Sequence, residues 1–254
     1  MHTLERTVSL ADGELLYRQQ GTGIPLLLLH GLTGTGKDFE HLFSLEQLAQ
    51  THRVIRPDAR GHGRTTTRAT DFTFRRCALD LLALLDRLQL DCVRTVGISL
   101  GAKTLLHLAR EAPTRVRAMV LVSAAPRFPE ATRASFRALA AAPHSDGEWA
   151  AMRHQHAQGD AQIRALYELP ARLADDPTDI CFSSDDLRKM VTPTLIVTGD
   201  RDPLYPVELA LELYRSMPSA SLWVVPNGGH SPVFGERRED FERAALSHLG
   251  EQAR

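Results

Sequence analysis

Val93-Arg94-Thr95-Val96-Gly97-Ile98-Ser99-Leu100-Gly101 is the stretch on which the fold of this chain turns. Residues 93–98 are rich in β-branched side chains and form a strand, while residues 100–110 continue at helical spacing. Between the two lies G-x-S-x-G, the sequence of a sharp strand-to-helix turn that lifts a serine hydroxyl above the edge of a sheet. Glycine stands two residues to either side because a Cβ there would crowd the turn. The serine opens a helix, whose first backbone amides favour negative charge nearby. Ser99 is therefore the candidate nucleophile.

Outward from this turn, short apolar runs alternate with helical segments. Residues 25–29 (Pro-Leu-Leu-Leu-Leu) are apolar throughout, as in a strand buried on both faces. Further strands are expected at 53–56, 118–122, 194–198 and 222–225, with helices at 39–50, 74–88, 207–217 and 237–248. A hairpin over 7–10 and 14–17 turns at Asp12-Gly13. The alternation implies an α/β fold, a mostly parallel sheet flanked by helices. Residues 127–192 contain no good strand but have helical windows at 130–141, 147–158 and 161–173. Helices inserted between two strands imply a cap over the carboxyl edge of the sheet, where such folds bind ligands. The expected organisation is a core of 1–126 and 193–254 interrupted by a helical cap at 127–192.

The chain has 254 residues, a net charge of -1, 43% hydrophobic and 24% charged residues, within the size of one large α/β domain. Near-neutral charge argues against a nucleic-acid partner held through many phosphates. Cys77, Cys92 and Cys181 are too few and too scattered for a disulfide framework or a zinc site, and fit a reducing compartment. The first residues carry no apolar signal segment, and no apolar run approaches the roughly 20 residues of a membrane span. A cytoplasmic protein without a membrane partner is expected.

A serine hydroxyl needs a base, and the base an orienting acid, in the order Ser, acid, His for this fold. His230, in Asn227-Gly228-Gly229-His230-Ser231-Pro232, closely follows the last strand and is the candidate base. Gly199-Asp200-Arg201-Asp202 follows the preceding strand. Asp202, further along that loop, is the preferred acid, and Asp200 a turn residue. The strand ending in Ser123-Ala124-Ala125 offers no acid. Acyl transfer also needs two backbone donors for the oxyanion. Leu100 supplies one, and Leu32, in His30-Gly31-Leu32-Thr33-Gly34, the other. His30 is expected to bond the loop backbone rather than take part in chemistry.

These landmarks, together with Asp58-Ala59-Arg60-Gly61-His62-Gly63-Arg64, resemble the α/β-hydrolase superfamily, in its order and over nearly the whole chain. The resemblance is to its serine-nucleophile, esterase-like branch. It implies an eight-stranded sheet with the cap between strands 6 and 7, Ser99, Asp202 and His230 as a catalytic triad, and Leu32 and Leu100 as the oxyanion hole. It implies a carboxylic ester as the small-molecule substrate, with no cofactor and no metal. Lactone, thioester or carbon–carbon hydrolysis, acyl transfer and perhydrolysis use the same parts, and some members of the superfamily are ligand sensors. Lys103, one helical turn after Ser99, stands where the family often has a small residue and has no explanation in the sequence.

Gly31-Leu32-Thr33-Gly34-Thr35-Gly36-Lys37 imitates a phosphate-binding loop, but Asp38 stands where a magnesium-binding hydroxyl is needed. Asp38 is expected to cap the helix that follows. His154 and His156, two apart, fall on different helix faces and are poorly placed for one metal. Trp149, Met152 and Tyr167 are expected to pack inside the cap, Trp223 in the core, and Cys92 as a buried thiol. His62 is expected to be a loop residue.

Overall fold

In the computed structural model, which describes residues 2–250, eight strands form one sheet in the order β1-β2-β4-β3-β5-β6-β7-β8. They are β1 (Leu4–Leu10), β2 (Gly13–Gln20), β3 (Ile24–Leu29), β4 (His52–Pro57), β5 (Val93–Ile98), β6 (Val116–Val122), β7 (Thr194–Gly199) and β8 (Ala220–Val225). Strand β2 runs antiparallel to both neighbours, and from β4 to β8 every pairing is parallel. The apolar run in β3 is explained by its central place. Leu27 and Leu29 join the core on one face, Leu26 and Leu28 the core on the other, and all four are buried. Each such leucine stabilises the fold by about 2 kcal/mol.

One face is covered by α2 (Phe74–Arg87) and α3 (Leu100–Glu111), with α8 (Val207–Ser216) further along. The other face is covered by α9 (Arg238–His248) and by the segment after β3. That segment departs from the expected single helix over 39–50. It forms a 3-10 turn, Asp38–His41, and one short helix, α1 (Leu45–Leu48). The break at Ser44 is held from outside: its amide donates to Glu242 at 2.9 Å, and its hydroxyl accepts from Arg238 at 3.1 Å. Asp38 does not cap a helix; its carboxylate turns back to accept from the Thr35 amide at 3.3 Å.

Between β6 and β7 come α4 (Glu130–Ala141), α5 (Asp146–Gln155), α6 (Asp160–Asp175) and α7 (Ser184–Arg188). A capping box of Ser145 and Glu148 starts α5, and one of Ser183 and Asp186 starts α7. Two expectations fail at the edges of the sheet. Cys92, just outside β5, is exposed, and Trp223 is half-buried because β8 is an edge strand. Among the described residues no helix is long and apolar enough to cross a membrane.

Candidate active site

Ser99 sits between β5 and α3 with φ 49 and ψ -102, a conformation that ordinary residues avoid and that costs about 1–3 kcal/mol. The flanking glycines make it possible. A Cβ on Gly97 would come within 2.6 Å of the Gly101 backbone, and one on Gly101 within 2.2 Å of the Leu29 carbonyl. The turn is anchored by Ser99 N–H to Val122 O at 2.8 Å and by Gly101 N–H to His30 O at 3.1 Å.

The structure brings Ser99, His230 and Asp202 together from three loops at the carboxyl ends of β5, β8 and β7. The Ser99 hydroxyl lies 2.8 Å from His230 Nε2, and His230 Nδ1 lies 2.8 and 3.0 Å from the two Asp202 oxygens. The carboxylate fixes the proton on Nδ1, so Nε2 is free to accept from the serine. The Asp202 side chain is fully enclosed, and its Oδ1 also accepts from the amides of Leu204 (2.8 Å) and Tyr205 (3.1 Å). Asp200 is exposed and takes no part. Ser123, at the end of β6, donates its hydroxyl to the His230 carbonyl. Ser123 has φ 52, and nothing in the sequence at that strand end, which offers no acid, marks it for this contact.

Leu32 and Leu100 both line the cavity in front of Ser99. Leu100 is the first residue of α3, so its amide has no acceptor within the helix. The 30–34 loop is braced at each side. His30 Nδ1 donates to the Gly31 carbonyl (2.7 Å) and its Nε2 accepts from the Ala59 amide (2.9 Å), a structural role. Asp58, wholly buried, accepts from Arg18 (2.7 Å) and from the amides of Gly36 (3.0 Å) and Arg64 (3.1 Å). His156, just past α5, accepts from the Gly63 amide at 2.8 Å and donates to the Thr33 carbonyl at 2.9 Å. His62 is buried, its ring 5.0 Å from that of His30 and 6.1 Å from that of His156. Burial pushes His62 well below the usual histidine range and also lowers His156. Both are neutral bonding partners that spacing along the chain does not reveal. Among the described residues, no cluster of three or more His, Cys, Asp or Glu is arranged to hold a metal ion.

The cavity measures about 430 Å³ and is walled by Phe74 and Leu204 of the core and by Phe136, Leu139, Leu166 and Pro170 of the inserted helices. Met152 and Tyr167 line it too, so they are not confined to packing among the inserted helices. Trp149 instead packs edge-on against Tyr167, whose other contact is the stacked His144 ring. Lys103 lines the cavity as well, 2% exposed, with its ammonium 2.8 Å from the Tyr205 hydroxyl. Burial pushes the Lys103 ammonium down to about 7, while the charge of Asp202 pulls weakly the other way.

A profile of the alpha/beta hydrolase family matches residues 26–244. The 2-hydroxy-6-oxo-6-(2'-aminophenyl)hexa-2,4-dienoic acid hydrolase of Metapseudomonas resinovorans is 28% identical over 98% of this chain and 92% of its own. A putative non-heme chloroperoxidase of Synechocystis is 27% identical over 86% and 88%. The crystal structure of a hydrolase from Pseudomonas aeruginosa superposes with a TM-score of 0.79 at 25% identity, covering 97% of this chain and 98% of that one. With the family profile spanning most of its length, the chain belongs to the alpha/beta hydrolase family.

Proposed function

We propose that the protein is a serine hydrolase that cleaves a carboxylic ester. The observation that supports this is the unbroken hydrogen-bond chain Ser99–His230–Asp202 facing a largely apolar cavity. Ser99 Oγ attacks the ester carbonyl as His230 Nε2 takes its proton. Asp202 holds the imidazole in place and stabilises its positive charge. The amides of Leu32 and Leu100 receive the oxyanion, each contributing about 3 kcal/mol to the transition state. His230 then protonates the leaving alcohol. In the second half, water gives its proton to His230 and attacks the acyl-enzyme, and His230 returns that proton to Ser99 Oγ as the carboxylic acid departs.

Hydrolysis of p-nitrophenyl esters from acetate to decanoate, compared with that by folded Ser99→Ala, tests the reading. Multiple turnovers by the wild type and none by the variant are expected. An inert wild-type protein rules out simple ester hydrolysis, and equal activity in the variant removes Ser99 as nucleophile.

A further inference from the structure

Lys103 is buried and, among the described residues, forms no ion pair. It lies on α3 four residues after Ser99, one helical turn on, and side chains on a helix lean toward its N-terminus, here toward the serine. Its ammonium stands among the rings of Tyr205 (4.6 Å), Phe74 (5.4 Å) and Phe128 (5.9 Å). Of its three N–H donors one goes to the Tyr205 oxygen, and no carboxylate among the described residues forms an ion pair with it. Asp202, the acid that acts on it electrostatically, is already shared among His230 and two backbone amides. Glu148, the acidic side chain lining the cavity, is exposed and accepts from Ser145 at 2.7 and 2.8 Å.

The Tyr205 hydroxyl accepts from Lys103 and also interacts with the Ser99 hydroxyl, so of the pair it is Lys103 that keeps N–H donors to spare. Tyr205 is buried, packs its ring edge-on against His230 at 5.1 Å and lines the same cavity. Lys103, held by Tyr205, thus sets its spare donors into one corner of a largely apolar chamber in front of Ser99. A plain alkyl chain leaves those donors unanswered, whereas a carboxylate can accept hydrogen bonds from them and neutralise the charge.

We propose that Lys103, positioned by the Tyr205 hydroxyl, forms an acceptor-binding corner of the acyl pocket, selecting acyl groups that end in a carboxylate. These are half-esters of short dicarboxylic acids. This rests on the hydrolase reading of Ser99. Lys103 follows Ser99 by one helical turn and its side chain leans back toward the serine, so short dicarboxylic acids such as succinate and glutarate supply the acyl groups that fit.

The test compares monomethyl succinate and monomethyl glutarate with methyl butyrate and methyl valerate, following methanol release by the wild type, Lys103→Met and Tyr205→Phe. The wild type should favour the half-esters at least tenfold in kcat/KM. Lys103→Met should lower that ratio at least thirtyfold and Tyr205→Phe severalfold, with folding checked by thermal melting. Calorimetric titration of glutarate and valerate into Ser99→Ala and Ser99→Ala/Lys103→Met gives a readout independent of turnover. Glutarate binding that requires Lys103 supports the corner even if neither ester is cleaved, in which case the ester reading alone fails. Turnover of methyl valerate in preference to the half-esters, or no Lys103-dependent glutarate binding, overturns the corner.

Discussion

Replacing Lys103 with methionine should make the protein more stable, by an amount that depends on pH. The ammonium is 2% exposed and its ordinary value of 10.5 is pushed down to about 7 by burial. That interval, at about 1.4 kcal/mol per pH unit, corresponds to about 5 kcal/mol of unfavourable charging in the folded state. The sign follows from proton counting. Between pH 7 and 10.5 the unfolded chain holds a proton on this lysine that the folded chain has released, so wild-type stability rises with pH there. At pH 6 the cost is fully present. Methionine fills a similar volume without charge, and gives up one hydrogen bond and three ring contacts, together about 2 kcal/mol. Lys103→Met should therefore be about 3 kcal/mol more stable than the wild type at pH 6, raising Tm by about 9 °C for a chain of this size. By pH 9 most of that advantage should have gone. Guanidinium unfolding of both proteins at pH 6, 7, 8 and 9 measures the difference, from which other titrating groups cancel. A difference that does not change with pH would falsify the account of Lys103 as a desolvated cation.

Other outcomes follow from the elbow and from the buried histidines. Ser99→Gly should unfold about 1 kcal/mol less readily than the wild type in denaturant while losing hydrolytic activity, because glycine accepts φ 49 without strain. Gly101→Ala should cost about 3 kcal/mol or more, since its Cβ would sit 2.2 Å from the Leu29 carbonyl; a melting temperature equal to that of the wild type would contradict this. His62, His107 and His156 are all held below the usual histidine range by burial, His107 down to about 4. The unfolded chain takes up these protons first, so stability is full above pH 6.5 and falls as pH drops below it. His107 alone accounts for about 3 kcal/mol of that loss by pH 4, measurable as a falling Tm across a pH 7 to 4 series.

The central strands and the elbow were legible because their constraints are local. A strand buried on both faces must be apolar throughout, as 25–29 is, and a turn this tight must place glycines two residues from its serine. The loops carrying Asp202 and His230 were legible for a related reason, since each follows a recognisable strand. What the chain does not announce is set by distant contacts. The break in the 39–50 helix is made by Glu242 and Arg238, some 200 residues away in sequence. Cys92 and Trp223 are placed by where a strand begins and by which strand forms the edge, neither of which periodicity specifies. Tyr205 and Ser123 gain their roles only once separate strand ends meet.

The two hydrogen bonds of His156, to Gly63 and to Thr33, have a mechanical consequence. The end of α5 and the loop that carries the Leu32 amide are joined through one ring, while Met152, a turn earlier in α5, touches the chamber itself. A ligand that presses on Met152 therefore loads the strut that braces the 30–34 loop. Filling the chamber at that point and shifting the loop are then a single displacement.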